Sequence, residues 1–139
     1  FEEVLSDRSF VINGDTFFDI DTSTMYNKHL ETNASISIAL KPMRNFDRYG
    51  SVSLNNSQRI TSFNEKNFCK EGIINGGLYL IDKDVFQKID LPEKFSFEKE
   101  VLEGQIDFLN IYGYEFDNYF IDIGIPEDFE KANLDFAHK

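Results

Sequence analysis

The sequence predicts an α/β domain, a mixed and mostly parallel sheet flanked by helices, and three observations carry that expectation. Short apolar runs of strand length alternate with segments whose apolar residues recur at helical spacing. One polar turn, Asn55 to Ser57, joins two short strand-like runs as a hairpin. The 139 residues, 41% hydrophobic and 15% aromatic, suffice for one core and one domain.

In chain order, Phe1 to Leu5 reads as the last turn of a helix already under way, in a chain that opens without methionine or capping signal. "SFVIN" (9 to 13) is a short strand whose lack of alternation predicts burial on both faces, as in a parallel sheet. Residues 22 to 33 read as a helix with Met25, His29 and Leu30 on one side and Asp21 or Thr22 as cap. "SISIALK" (35 to 41) alternates Ile36, Ile38 and Leu40 and reads as a strand, and the hairpin follows within 50 to 66. "IINGGLYLID" (73 to 82) is a strand interrupted by Gly76 and Gly77. "KDVFQKI" and "SFEKEVLEG" are helical, the second capped by Ser96 and stopped by Gly104. Strands around "DFLNIYGY" and "NYFIDI" precede a helix from Pro126, where proline suits the first turn and Glu127 and Asp128 complement the helix dipole.

A net charge of −11 argues against nucleic-acid and anionic-membrane surfaces, whose binding depends on Lys and Arg neutralising phosphates. The single cysteine, Cys69, excludes an internal disulfide framework, and no apolar run approaches the roughly 20 residues of a membrane span. No signal peptide opens the chain, so a cytoplasmic location is the expectation.

Ligands of open α/β sheets sit beyond the carboxyl ends of strands, so loop residues just after strands carry the functional candidates. In "VINGDTFFDID" (11 to 21), Asp15 follows a strand through Gly14. Asp122 lies near the end of "NYFIDIG", just before Gly124. The two could grip one Mg²⁺, which is held by one or two carboxylates plus substrate phosphates, or they could be independent turn aspartates. Glu65 and Lys66 end a strand together in "FNEK". As strand neighbours they point to opposite faces, so they serve one ligand only if the strand breaks there; otherwise they belong to a solvated edge hairpin. In "NGGLY", Gly76 and Gly77 leave bare backbone that a ligand could approach beside Asn75, or that forms a β-bulge. His29, His138, Cys69, Asp19 and Asp21 read as structural or surface residues, His29 at a helix surface or boundary.

Six motifs in order span nearly the whole chain: "VINGDTFFDID", "RYGSV", "ITSFNEK", "INGGLYLID", "FSFEKEVL" and "YFIDIGIPEDFEKA". Together they resemble the carboxyl-terminal half or more of a sugar-1-phosphate nucleotidyltransferase. "NGDTFFDID" followed by "FDRYG" is most similar to the bacterial D-glycero-D-manno-heptose 1-phosphate guanylyltransferases, with mannose-1-phosphate guanylyltransferases and glucose-1-phosphate thymidylyltransferases as relatives.

The resemblance implies a Rossmann-like nucleotidyltransferase fold and transfer of a nucleotidyl group, GMP in the nearest relatives, from a nucleoside triphosphate to a sugar 1-phosphate, with release of pyrophosphate. It assigns Asp15 and Asp122 to Mg²⁺, and Lys66 to the sugar phosphate as the third catalytic residue. Glu65 is assigned to sugar hydroxyls, Gly14, Asn75 and Gly76 to the substrate pocket, and Tyr49 with Gly50 to its cover. Family members begin with a strand and a GGxGTR-type loop that no segment of this sequence matches. The resemblance therefore implies that residues 1 to 139 are the carboxyl-terminal portion of one catalytic domain, the sugar-phosphate and metal-binding part, with the N-terminal strands missing and the portion alone inactive. Sugar 1-phosphate and nucleoside triphosphate are the implied partners, with no nucleic acid or membrane and with a homo-oligomer left open. The alternative is a non-catalytic sugar-nucleotide sensing module, which should have lost a metal aspartate or the Glu-Lys pair.

Overall fold

The structure is a computed structural model and describes residues 7 to 138. The helical turn expected at Phe1 to Leu5 lies outside them. Eight strands and three α-helices follow in order: β1 (Arg8–Ile12), β2 (Thr16–Phe18), α1 (Thr22–Thr32), β3 (Ile36–Phe46), β4 (Gly50–Leu54), β5 (Ile60–Lys66), β6 (Cys69–Asp82), α2 (Val85–Lys88), β7 (Ile111–Glu115), β8 (Phe120–Asp122) and α3 (Pro126–Phe136). A π-wound helix, Phe97–Glu103, sits between α2 and β7.

The α/β class stands, and the sheet is mixed. Its six strands run β5-β4-β6-β3-β7, with β1 also paired to β6. The balance of directions differs from the expectation of a mostly parallel sheet. β3 and β7 pair in parallel, whereas β6 is antiparallel to β1, β3 and β4, and β4 is antiparallel to β5. The hairpin and the long return strand β6 fold back without helical crossovers, and a direct reversal forces antiparallel pairing. β2 and β8 form a separate antiparallel ribbon.

Residues 36 to 40 of β3 and 76 to 81 of β6 are buried on both faces, which makes two layers of core. Ile36, Ile38, Leu40, Tyr79 and Ile81 point into one, under Val85 of α2 and Val101 and Leu102 of the π-helix. Ala39, Leu78 and Leu80 point into the other, against Phe18 and Met25. β1 is different. Its exposure alternates, with Phe10 40% and Ile12 60% exposed, so "SFVIN" is half-exposed and not buried on both faces. Phe10, Val11 and Ile12 are all apolar, so composition hid the alternation.

α1 follows its local chemistry. Asp21 caps it, accepting the Ser23 N–H at 3.0 Å and the Thr24 hydroxyl at 2.9 Å, and these bonds, Thr24 first, hold its carboxyl below the ordinary value. Asn33 ends it in the left-handed conformation, φ 52°. Leu30 turns outward, while His29 is 1% exposed and is therefore not a surface or boundary residue. Its ring bridges the helix to the sheet, Nδ1 to Ser37 Oγ at 2.7 Å and Nε2 to Asp82 Oδ1 at 2.9 Å. Both ring nitrogens thereby find partners, which is the condition for burying an imidazole. The π-helix is capped by Ser96, which accepts the Lys99 N–H, and closes at Gly104, whose N–H donates to Lys99 O at 2.8 Å. α3 starts at Pro126 as expected.

Candidate active site

The carboxyl ends of β1, β5 and β8 converge with the first residue of β4 and the middle of β6 around a cleft of about 570 Å³. Asp15, Tyr49, Gly50, Glu65, Lys66, Asn75 and Asp122 all line it.

Asp15 and Asp122 are neighbours in space although 107 positions apart in sequence. Thr16 faces Asp122 across the β2–β8 ribbon, and the Ile123 N–H donates to Asp15 O at 2.9 Å. Each carboxylate is oriented locally: Asp15 accepts the Thr16 hydroxyl at 3.2 Å, and Asp122 accepts the Gly124 N–H at 2.8 Å. Among the described residues no group of three or more His, Cys, Asp and Glu side chains is arranged to hold a metal ion. Two carboxylates from neighbouring backbone that open on one cleft suit a hard cation that takes its remaining ligands from phosphate and water, which is the habit of Mg²⁺. The donor set fits that ion.

Glu65 and Lys66 reach the same cleft through a bulge. Gly50 pairs with Lys66 and Val52 with Phe63, so three steps along β5 face two along β4. The extra residue breaks the alternation that would send the two side chains to opposite faces. Glycine is required at 50, because a Cβ there would lie 2.3 Å from Asn64 O. The Asn64 amide fixes the bulge, donating to Ser51 Oγ at 3.1 Å and Ser53 Oγ at 3.0 Å.

Asn75 is held at both ends of its carboxamide. Its Nδ2 donates to the Tyr79 hydroxyl at 2.8 Å, and its Oδ1 accepts the Gly77 N–H at 2.9 Å. Beyond it β6 bulges: Ile38 pairs with Tyr79 but Leu40 with Asn75, and Gly77 takes φ +73°, a conformation that disfavours residues with a side chain. Burial pushes the Tyr79 phenol up to about 12, and Tyr49 reaches about 12 through burial and then the nearby charge of Asp122.

Those two tyrosines predict loss of stability in alkali. A raised phenol pKa means that the folded state favours the protonated form, so the contribution is complete below the ordinary value of 10 and is lost as pH rises through about 12. For the well-buried Tyr79 this amounts to about 2–3 kcal/mol. Melting temperature should fall between pH 10 and 12, and Tyr79→Phe should flatten that fall; an unchanged slope in the variant would remove Tyr79 as its cause.

Two sequence candidates lie elsewhere. Gly14 lines an adjoining apolar hollow with Phe17, Phe129 and Phe136. Gly76 packs under the sheet, where a Cβ would stand 2.5 Å from the Phe18 ring and 2.8 Å from Ala39 O. Gly76→Ala should therefore lower stability by about 1–3 kcal/mol in urea denaturation, as overpacking does. Unchanged stability with a raised KM would instead make Gly76 a ligand contact. Conversely, Asn13, Arg48, Glu98, Leu102, Glu103 and Phe120 line the cleft without having been singled out. All of them but Glu103 stand inside quoted motifs, and only the folded chain brings the π-helix across the cleft.

This chain belongs to the nucleotidyl transferase family, whose sequence model matches residues 1–139. It is 43% identical over 138 residues to a D-glycero-alpha-D-manno-heptose 1-phosphate guanylyltransferase of Aneurinibacillus thermoaerophilus, covering 99% of this chain and 60% of that protein. To the protein of the same name from Campylobacter jejuni it is 49% identical over 126 residues, covering 90% and 54%. Among solved structures, HddC from Yersinia pseudotuberculosis superposes with a TM-score of 0.84 at 31% identity over 97% of this chain and 58% of that one. Its complex with GMP-PN gives 0.81 at 32% identity, with the same coverage of 97% and 58%. The chain thus spans between half and two thirds of the length of these relatives. No described helix is long and apolar enough to cross a membrane.

Proposed function

We propose that the protein transfers GMP from GTP to a heptose 1-phosphate of the D-glycero-D-manno type, or to the related mannose 1-phosphate, releasing pyrophosphate, in the cytoplasm and toward surface polysaccharide such as capsule or lipopolysaccharide. The observation that supports this reading is the convergence of Asp15, Asp122, Glu65, Lys66 and Asn75 on one cleft. The relatives' names supply the substrates.

A phosphate oxygen of the sugar 1-phosphate attacks the α-phosphorus of GTP. The bond from that phosphorus to the bridging oxygen breaks, and pyrophosphate carries the electron pair away. No covalent enzyme intermediate is needed, so the residues work by alignment and charge neutralisation. Lys66 holds the sugar phosphate, Glu65 and Asn75 hold sugar hydroxyls, and Tyr49 with Gly50 covers them. Five carboxylates, Asp15, Glu65, Glu98, Glu103 and Asp122, line the cleft against two cations, Arg48 and Lys66. Such a wall repels phosphates unless a cation joins it, and Asp15 with Asp122 would hold that cation. Mg²⁺ bound there would neutralise phosphate charge in the transition state.

The alternative, a non-catalytic sensor of sugar nucleotides, predicts loss of a metal aspartate or of the Glu-Lys pair, and all four residues stand. Pyrophosphate release by the intact protein with Mg²⁺, GTP and each sugar 1-phosphate tests the two. Turnover with the heptose ester and GTP supports the transferase. Binding of the GDP-sugar without release of pyrophosphate from any pair of substrates supports the sensor.

A further inference from the structure

Tyr49 lies at the junction of the cleft and a second hollow of about 320 Å³ behind it; Arg48, Tyr49, Phe120 and Asp122 line both. Its ring packs edge to face on Phe120, centroids 6.3 Å apart at 78°, and Asp122, two residues on from Phe120, lines both hollows with it. Tyr49 enters β4 from the loop after β3, and its neighbour Arg48 ties that loop to α3. The guanidinium lies 5.2 Å from the Tyr49 ring centroid and donates through Nη1 to Asp128 Oδ2 at 2.5 Å. Asp128 stands in the first turn of α3, six residues after Asp122, where its charge complements the helix dipole. Both partners are about two-thirds shielded from solvent, and the Asp128 bond is the largest cause raising the Arg48 pKa.

We infer that Arg48 and Asp128 form a clamp that positions Tyr49 beside Asp122, so that the proposed sugar-side cover and metal edge are held by one ion pair anchored on α3. Arg48 is a positioning residue: it acts on the reaction through Tyr49. Resting on the function proposed above, the inference adds a residue pair to which neither the sequence motifs nor the relatives' names assign a role. Arginine suits the place better than lysine, since its flat guanidinium can stack on a ring while its N–H fork holds a carboxylate.

The test uses the intact protein carrying ring-labelled ¹³C-tyrosine, with the Tyr49 signal assigned by its loss in Tyr49→Phe. Arg48→Met and Asp128→Asn should each shift that signal, and the double variant should shift it no further, because the two act as one unit. Arg48→Lys should restore it only in part. In kinetics, each single variant should lower kcat/KM for the sugar 1-phosphate roughly fivefold while leaving KM for GTP within about twofold, as expected of a misplaced contact. A fall in melting temperature with the Tyr49 signal unmoved would overturn the clamp and leave Arg48 a stabilising ion pair. The labelled-ring measurement needs no turnover. An inactive wild type would overturn the proposed function, while the Tyr49 signal would still decide the clamp.

Discussion

Asp15→Asn should lower kcat by about 10³-fold or more while the protein keeps its fold and its melting temperature within a few degrees. The amide keeps the shape of the carboxylate and can still accept from the Thr16 hydroxyl, which bonds Asp15 at 3.2 Å, so the β2–β8 ribbon has no reason to open. What disappears is one of the two negative charges that the β2–β8 ribbon brings to the cleft. Asp122→Asn should act alike. It also lines the cleft with Tyr49, whose phenol burial and then the Asp122 charge raise to about 12, so this variant should bring the tyrosine titration part of the way down toward its ordinary value. The double variant should lose little more activity than either single one, since groups that serve a single ion are strongly non-additive. Raising Mg²⁺ should recover part of the single variants' rate and none of the double's. Multiplicative losses, or an Asp15→Asn enzyme with ordinary kcat, would mean that the two aspartates do not share an ion.

How much of this was legible in the chain depends on what each residue interacts with. The helix caps at Asp21 and Ser96 and the hairpin at Asn55 to Ser57 are set by groups within a few positions, and the sequence contains the whole of that chemistry. The direction of pairing is a different matter. Whether β6 runs with or against β3 depends on the path between them, and the apolar residues of both strands serve either arrangement. The burial of His29 is not written in its own segment, because it depends on Ser37 and Asp82, the latter 53 positions away. Asp15 and Asp122 could be matched by resemblance but not by spacing, which says nothing about two strand ends meeting. Glu65 and Lys66 were legible as a pair, while the bulge that turns both to one cleft exists only in the pairing with β4. In β6 both readings of Gly76 and Gly77 met: the bulge is real, and what comes close to the bare backbone is Phe18 and the Asn13 side chain.

If the cleft is used as proposed, its sugar side is separable from its metal side by mutation. Glu65 lines the cleft at the end of β5, while Asp15 and Asp122 belong to the β2–β8 ribbon, so a change at Glu65 need not disturb the aspartates. A carboxylate accepting from sugar hydroxyls makes charge-assisted hydrogen bonds, each contributing about 1.5–3 kcal/mol. Glu65→Gln keeps the length and one acceptor oxygen but replaces the other with a donor that a hydroxyl proton cannot use. KM for the sugar 1-phosphate should rise roughly 10- to 100-fold, with KM for GTP within about threefold, because the nucleotide does not depend on that oxygen. Stability should not move, since Glu65 is exposed and the bulge is held by the Asn64 amide. Substrate analogues sharpen the assignment: a deoxy sugar phosphate lacking the hydroxyl that Glu65 accepts should bind wild type and Glu65→Gln equally well. Steady-state kinetics with both substrates varied would decide it, and a rise in KM equal for sugar phosphate and GTP would place Glu65 outside the sugar pocket.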